Sequence, residues 1–199
     1  MSTNLYLGIR SSDNDDARES GGAFLNALNQ TLAKKGLELY TNPAGQPPTL
    51  NDNPQSRSAL EHIATRTLTE LATLAQTSGR FPALALIRDN PQRVTFVPRG
   101  LEKPVASRHF ETIAGKRVEV WIGSLAQLAE DLVRLGRELR IPLADGVLAN
   151  DTADSINMYR PFHERDSTRL LEEFRPTWLA LYEGVRLAIQ QGVALTIAT

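Results

Sequence analysis

An α/β fold is predicted for this 199-residue chain: a mixed sheet of about five or six strands, covered by three or four helices, with a helix-rich C-terminal half. Three observations predict it. Apolar residues alternate with a period of two near Leu5, near Val118 and near Leu195. Apolar residues recur at spacings of three and four around Leu28, Leu68, Leu132 and Leu181. The two patterns interleave along the chain, as an α/β protein requires, although a mixed α+β arrangement is the alternative.

The elements follow in order. Leu5, Leu7 and Ile9 mark a first strand over residues 5–9, and a polar loop follows over 10–22. Phe24, Leu25, Leu28 and Leu32 mark a helix that Gly36 stops. Residues 37–40 read as a second strand, so the chain opens on a strand–helix–strand unit. Residues 41–56 hold four prolines and three asparagines, which sustain neither helix nor central strand. A second helix is expected over 58–77, ended by Gly79. Residues 81–87 and 93–97 read as a strand pair about a turn at 88–92. Residues 98–116 are expected to be irregular or to hold one short helix, and 118–122 to form a further strand.

Ser124 and Gln127 have the spacing of a capping box. Leu125, Leu128, Leu132, Leu135 and Leu139 then define a helix facing the core, with Glu130 and Arg134 paired outside and Pro142 as the stop. Residues 143–167 look polar and irregular. The last helix spans 168–191, with a kink or restart at Pro176. Its apolar residues cover most of its circumference, which implies burial or an interface. Gly192 ends it, and residues 193–197 close the chain as a strand. Parallel units are expected first and a hairpin in the middle. No composition break asks for a second domain, so residues 1–199 are expected to form one.

Composition narrows the chemistry. There is no cysteine, which excludes disulfides, thiol nucleophiles and Cys-ligated metals. No apolar run approaches the roughly 18 residues of a spanning helix, and the N-terminus lacks the pattern of a secretory signal. A cytoplasmic location without membrane association is therefore expected. No phosphate-binding loop, dinucleotide fingerprint, nucleophile elbow or zinc-protease motif is present. No residue is assigned a catalytic role, and neither a cofactor nor a metal is expected. Asp13, Asp15 and Asp16 have the oxygen ligands that Mg²⁺ or Ca²⁺ would take, but a solvated acidic loop explains them as well.

The formal charge of −1 conceals segregation. Residues 80–123 carry eight basic and four acidic side chains, a net +4, against −2 for residues 1–79 and −3 for residues 124–199. Two groups of candidate binding residues follow. Arg99, Lys103, Arg108 and His109 lie in the basic middle. Tyr159, Arg160, Phe162 and His163 lie before the last helix and have the aromatic and arginine content of interface hot spots.

These features predict a binding or interaction protein: a regulator, an inhibitor-type partner or an assembly subunit. The alternative is an enzyme acting on an anionic small molecule, with His109, His163 or the aspartates as acid–base groups. The expected partner is another protein or an anionic ligand. Nucleic acid is not expected, since no recognition motif accompanies the charge. A homo-oligomer through the last helix is a further expectation.

Overall fold

The alternating segments build one six-stranded sheet in the computed structural model, which describes residues 1–9, 15–41, 49–76, 81–111, 116–159 and 170–199. Its elements are β1 (Ser2–Leu7), α1 (Asp15–Lys34), β2 (Ile63–Ala64), α2 (Thr65–Gln76), α3 (Pro82–Asp89), β3 (Arg93–Val97), β4 (Val105–Glu111) and β5 (Lys116–Ser124). They continue with α4 (Leu125–Glu138), β6 (Leu143–Ala144), β7 (Val147–Leu148), α5 (Asn150–Asn157), α6 (Leu170–Gln191) and β8 (Leu195–Ala198). The strand order is β2-β1-β8-β3-β5-β4. The C-terminal strand β8 lies in the middle, antiparallel to both β1 and β3. Among the described strands only β3 and β5 run parallel, and β4 forms the antiparallel hairpin with β5. The expected mixed sheet is present. The parallel opening units are not, because β1 pairs antiparallel with β2 and β8 rather than with residues 37–40.

Alternation sends the strands' side chains to two cores. On one face Leu5, Leu7, Val94, Phe96, Leu195 and Ile197 meet the helices α2, α3, α4 and α6. On the other, Val97, Val120 and Ile122 meet Phe24, Leu28 and Leu32 of α1. The Arg93 guanidinium lies over the Phe24 ring, 5.0 Å from its centroid.

Helix α1 starts at Asp15, so Asp15 and Asp16 belong to a helix rather than to a loop; Asp13 lies outside the described residues. Residues 37–40 form no strand. Asn29 of α1 holds the backbone of Tyr40 from both sides, Nδ2 donating to its carbonyl at 2.9 Å and Oδ1 accepting from its N–H at 2.7 Å. A side chain thereby satisfies the groups that a neighbouring strand would have met. The second helix begins at Thr65, later than expected, because Ile63 and Ala64 pair with β1.

The largest departure is at residues 81–87, expected as a strand and found as α3. A short apolar run does not distinguish the two states by period alone. Pro82 supplies a pre-set first turn, and a distant carboxylate completes it. Asp131 of α4, wholly buried, accepts from the N–H groups of Ala83 at 2.8 Å and Leu84 at 3.3 Å. Residues 98–116, expected as irregular, hold β4, whose pairing with β5 runs from Val105–Ile122 to Glu111–Lys116.

Burial pushes the Asp131 carboxyl above the ordinary aspartate value of 3.8, against the opposing bonds from Ala83, Leu84 and Gln127 and the charge of Arg134. The folded protein therefore keeps that proton to higher pH than the unfolded chain does. Stability falls as pH rises from the unfolded value through the raised folded one. Asp131→Asn keeps an acceptor but cannot titrate. Urea unfolding at several pH values is expected to show wild type losing stability with rising pH relative to Asp131→Asn. Parallel profiles for the two proteins would overturn this.

Ser124 caps α4 as expected, its Oγ accepting from the Gln127 N–H at 3.5 Å. The Gln127 side chain does not reach back; its amide donates to Glu130 and Asp131 instead. The helix ends at Glu138, before Pro142, because Arg140 turns the chain at a φ of 55°. Residues 143–148, expected as irregular, form a tight hairpin whose turn is Asp145-Gly146, with φ of 52° and 82°. Those signs suit the type I′ turn that favours Asp-Gly. Helix α5 follows.

Helix α6 carries Pro176 within it and is apolar almost all round, as expected. Most of its apolar surface is spent inside the chain, although Ile189 stays 51% exposed. Trp178, Leu179, Leu181, Leu187 and Ala188 are all buried against α4, α2, β1 and β8. The expectation that this helix makes a homo-oligomer contact is thereby corrected. Among the described residues no helix is long and apolar enough to cross a membrane.

Candidate functional site

The sequence-derived candidates fall at separate places. Arg99 and Lys103 lie in the turn after β3, where Arg99 donates to the carbonyls of Pro98 and Leu39 and faces Glu38 at 3.8 Å. Lys103 and Lys35 line an open groove of about 560 Å³ with Leu37, Leu101 and Val105. Arg108 projects from β4 and pairs with Glu119 at 2.6 Å. His109 occupies β4 opposite Val118. Tyr159 follows α5 in the helical layer and is half-buried. Arg160, Phe162 and His163 lie outside the described residues. The basic group therefore borders the β4 edge of the sheet, and Tyr159 is not part of it.

A different group of side chains shares one surface. Residues 141–159 contain Asp145, Asp151 and Asp154 and no basic residue. Asp145 sits at the tip of the β6–β7 hairpin, and Asp151 and Asp154 lie one turn apart on α5, where such neighbours have Cβ atoms about 5–6 Å apart. Asp151 is in the first turn of α5, where a carboxylate also meets free N–H groups. Residues 55–59 lie alongside, and the same segment carries Asp52 and, beside β1, Glu61. All five carboxylates are exposed. Glu61, Asp145, Asp151 and Asp154 have no ion-pair partner among the described residues.

One buried acid moors this surface. Glu183 of α6 is wholly buried and binds two arginines. Arg57 donates to it from its backbone N–H at 3.0 Å, from Nε at 2.9 Å and from Nη2 at 2.6 Å. Arg186 donates Nη2 to Glu183 at 2.8 Å and to the Gln55 carbonyl at 2.8 Å. Arg57 Nη1 reaches the Leu148 carbonyl at 2.9 Å, tying β7 to the same centre. Asn157 of α5 donates to the Arg57 carbonyl and accepts from the Ala59 N–H. Tyr182 donates Oη to the Gly146 carbonyl at 2.9 Å and accepts from the Leu148 N–H at 3.2 Å.

The consequence is electrostatic. Burial alone would raise the Glu183 carboxyl, but the bonds from Arg186 and Arg57 outweigh it and hold it below its ordinary value. Glu183 stays charged and draws Arg57 inward. The one guanidinium on residues 49–62 thus neutralises a buried acid rather than the exposed ones. Residues 49–64 and 141–159 together present five carboxylates to solvent. The hairpin Asp145-Gly146 was the local signal that could have identified part of this surface; the joining of 49–62 to α5 had none.

The β6–β7 hairpin packs against α4 and α5 against α6, whereas the basic candidates border β4. Among the described residues, no three side chains of metal-binding kind converge.

A protein family described as "Putative DNA-mimic protein" matches residues 64–197. No curated protein and no solved structure matches the chain. The family match overturns the expectation of an anionic ligand. A protein that imitates DNA offers anionic groups to a cationic partner, which reverses the sign expected from the basic middle of the chain.

Proposed function

Because this chain belongs to the DNA-mimic family, we propose that it binds the cationic, DNA-contacting surface of a DNA-binding protein and keeps DNA off it. Membership makes the chain a binding protein, in the coarse sense expected from the sequence. The observation that carries the finer reading is the exposed acidic surface at Asp52, Glu61, Asp145, Asp151 and Asp154. A chain of net charge −1 cannot imitate a polyanion over its whole surface, so the imitation has to be local. DNA carries one charge per about 1.7 Å of axis, so this surface stands in for a short stretch of backbone only.

The basic edge has a place in this reading. Lys35 and Lys103 of the groove would repel a cationic partner, and like-charge contact suppresses wrong docking. That repulsion leaves α5 and the hairpin as the docking face. Inhibition of DNA binding by a regulator of this kind requires nothing more than competition for one surface.

The test is competition. The protein is immobilised, an extract of its source cells is passed over it, and retained proteins are eluted with duplex DNA. A DNA-binding protein is expected that leaves as duplex is added. Asp145→Asn, Asp151→Asn and Asp154→Asn combined should weaken its binding by roughly three- to a hundredfold at low salt, since each exposed charge contributes about 0.2–1 kcal/mol. The salt dependence should flatten as well. A ternary complex of this chain, its partner and DNA would sink the proposal, as would unchanged binding by the triple variant.

A further inference from the structure

We propose that the partner inserts an aromatic side chain into a pocket beside the acidic surface. This rests on the reading of that surface as the binding face. The pocket is an open cavity of about 250 Å³ whose walls are Ile141, Pro142 and Ile156, with Arg140, Arg175 and Asp151 as its charged residues and Thr152 and Ser155 from α5. Small-molecule sites usually run from about 300 to 1,000 Å³, so this one has the size of a side chain.

Its chemistry selects the occupant. Ile141, Pro142 and Ile156 supply apolar wall. Arg175 donates Nε to the Leu139 carbonyl at 3.1 Å and lies 3.9 Å from Glu172, which holds its guanidinium plane in place. A second arginine, Arg140, also lines the pocket. Two guanidinium groups repel a lysine or arginine from the partner. They favour an aromatic ring, on whose face a guanidinium stacks. The carboxylates of Asp145, Asp151 and Asp154 then meet the cations around that ring.

Two further observations point the same way. Val147 and Met158, which bracket α5 in the chain, are 62% and 75% exposed, so this surface is apolar as well as acidic. Arg140 adopts a positive φ of 55°, a conformation that disfavours side chains, and it holds that strain at the pocket wall. DNA has no counterpart of such a pocket. A partner anchored there is bound by this chain through a contact that DNA does not make.

Two peptides test this: six arginines around a central tryptophan, and the same peptide with a central alanine. Their binding to the full chain is measured by NMR titration at two salt concentrations. The tryptophan peptide is expected to bind roughly tenfold more tightly at both, with its shifts centred on residues 140–142 and 152–156. Ser155→Trp fills the pocket and should abolish that advantage while leaving the alanine peptide unaffected. Thr152→Phe blocks it from the adjacent turn and guards against misfolding of the first variant, with thermal melts as the check. Equal binding of the two peptides to wild type, or an advantage that survives both blocks, overturns the pocket and leaves the acidic surface standing. No shift by either peptide over residues 141–157 overturns both.

Discussion

Trp178→Ala lowers the unfolding free energy by about 4 kcal/mol, within the range for deleting a buried aromatic ring. In a chain of this length that corresponds to a fall in melting temperature of roughly 8–16 °C. The indole is fully buried between α6 and α4. Its N–H donates to the Leu132 carbonyl at 2.8 Å, and its ring stacks on Tyr182 with centroids 4.9 Å apart. The fit leaves no slack. A Cβ added at Gly136 would lie 2.9 Å from the Trp178 ring, so the glycine on α4 is what admits the indole. Removing the ring leaves a cavity that neither helix can close without moving the other. Tyr182, which holds the β6–β7 hairpin by both hydrogen bonds of its hydroxyl, loses its stacking partner in the same step. Differential scanning calorimetry checks the stability, and amide exchange at Leu148 checks the hairpin. A loss below about 2 kcal/mol would mean that the helices repack around the gap.

Glu183→Ala has the second largest effect, about 2–3 kcal/mol. Breaking a buried pair by removing one partner costs about 3–5 kcal/mol when the other is left buried. Here the arginines retain 23% and 31% of their side-chain exposure, so both can turn toward water and the cost is smaller. The turn outward has its own consequence. Arg57, freed from Glu183, becomes a cation on the acidic surface and loses its hold on Leu148. Amide exchange over residues 53–59 is expected to accelerate, and urea unfolding to show the loss of stability. The pH dependence follows from the lowered carboxyl. Stability from Glu183 is fully present above its unfolded value of 4.5 and is lost as pH falls through the folded one. Its sign is opposite to that of Asp131. Wild type is therefore expected to lose this contribution in acid while Glu183→Ala does not. A variant as stable as wild type, with unchanged exchange near Arg57, would show that the mooring lies elsewhere.

What could be read along the chain was local. The strand at Arg93–Val97, the strand about Val118–Ile122, the leucine face of α4, the buried α6 and the terminal strand all carry their own periodicity. Gly36 and Gly192 stop their helices at φ of 68°, as glycine is suited to do. The misreadings share one cause. At 81–87 the deciding group is Asp131, 48 residues from Ala83. At 37–40 it is Asn29, reaching back from α1. At β4 it is the hairpin partner β5, which gives an irregular-looking segment a ladder. The Asp145-Gly146 turn was legible in principle, because those two residue types suit a type I′ turn on their own.

The candidate site divides in the same way. By itself the sequence determined the inventory: a mixed α/β fold, no cysteine, near-neutral charge, and a basic middle between acidic flanks. These depend only on which residues are present and on periods of two and 3.6, which the chain carries locally. Only the tertiary structure decided where the charge acts. A carboxylate and a guanidinium 126 residues apart met in the core, and Arg57 was thereby withdrawn from the surface that Glu61, Asp151 and Asp154 present. Charge is a property of a residue, but an electrostatic surface is a property of which charges remain unpaired once the fold has brought distant ones together.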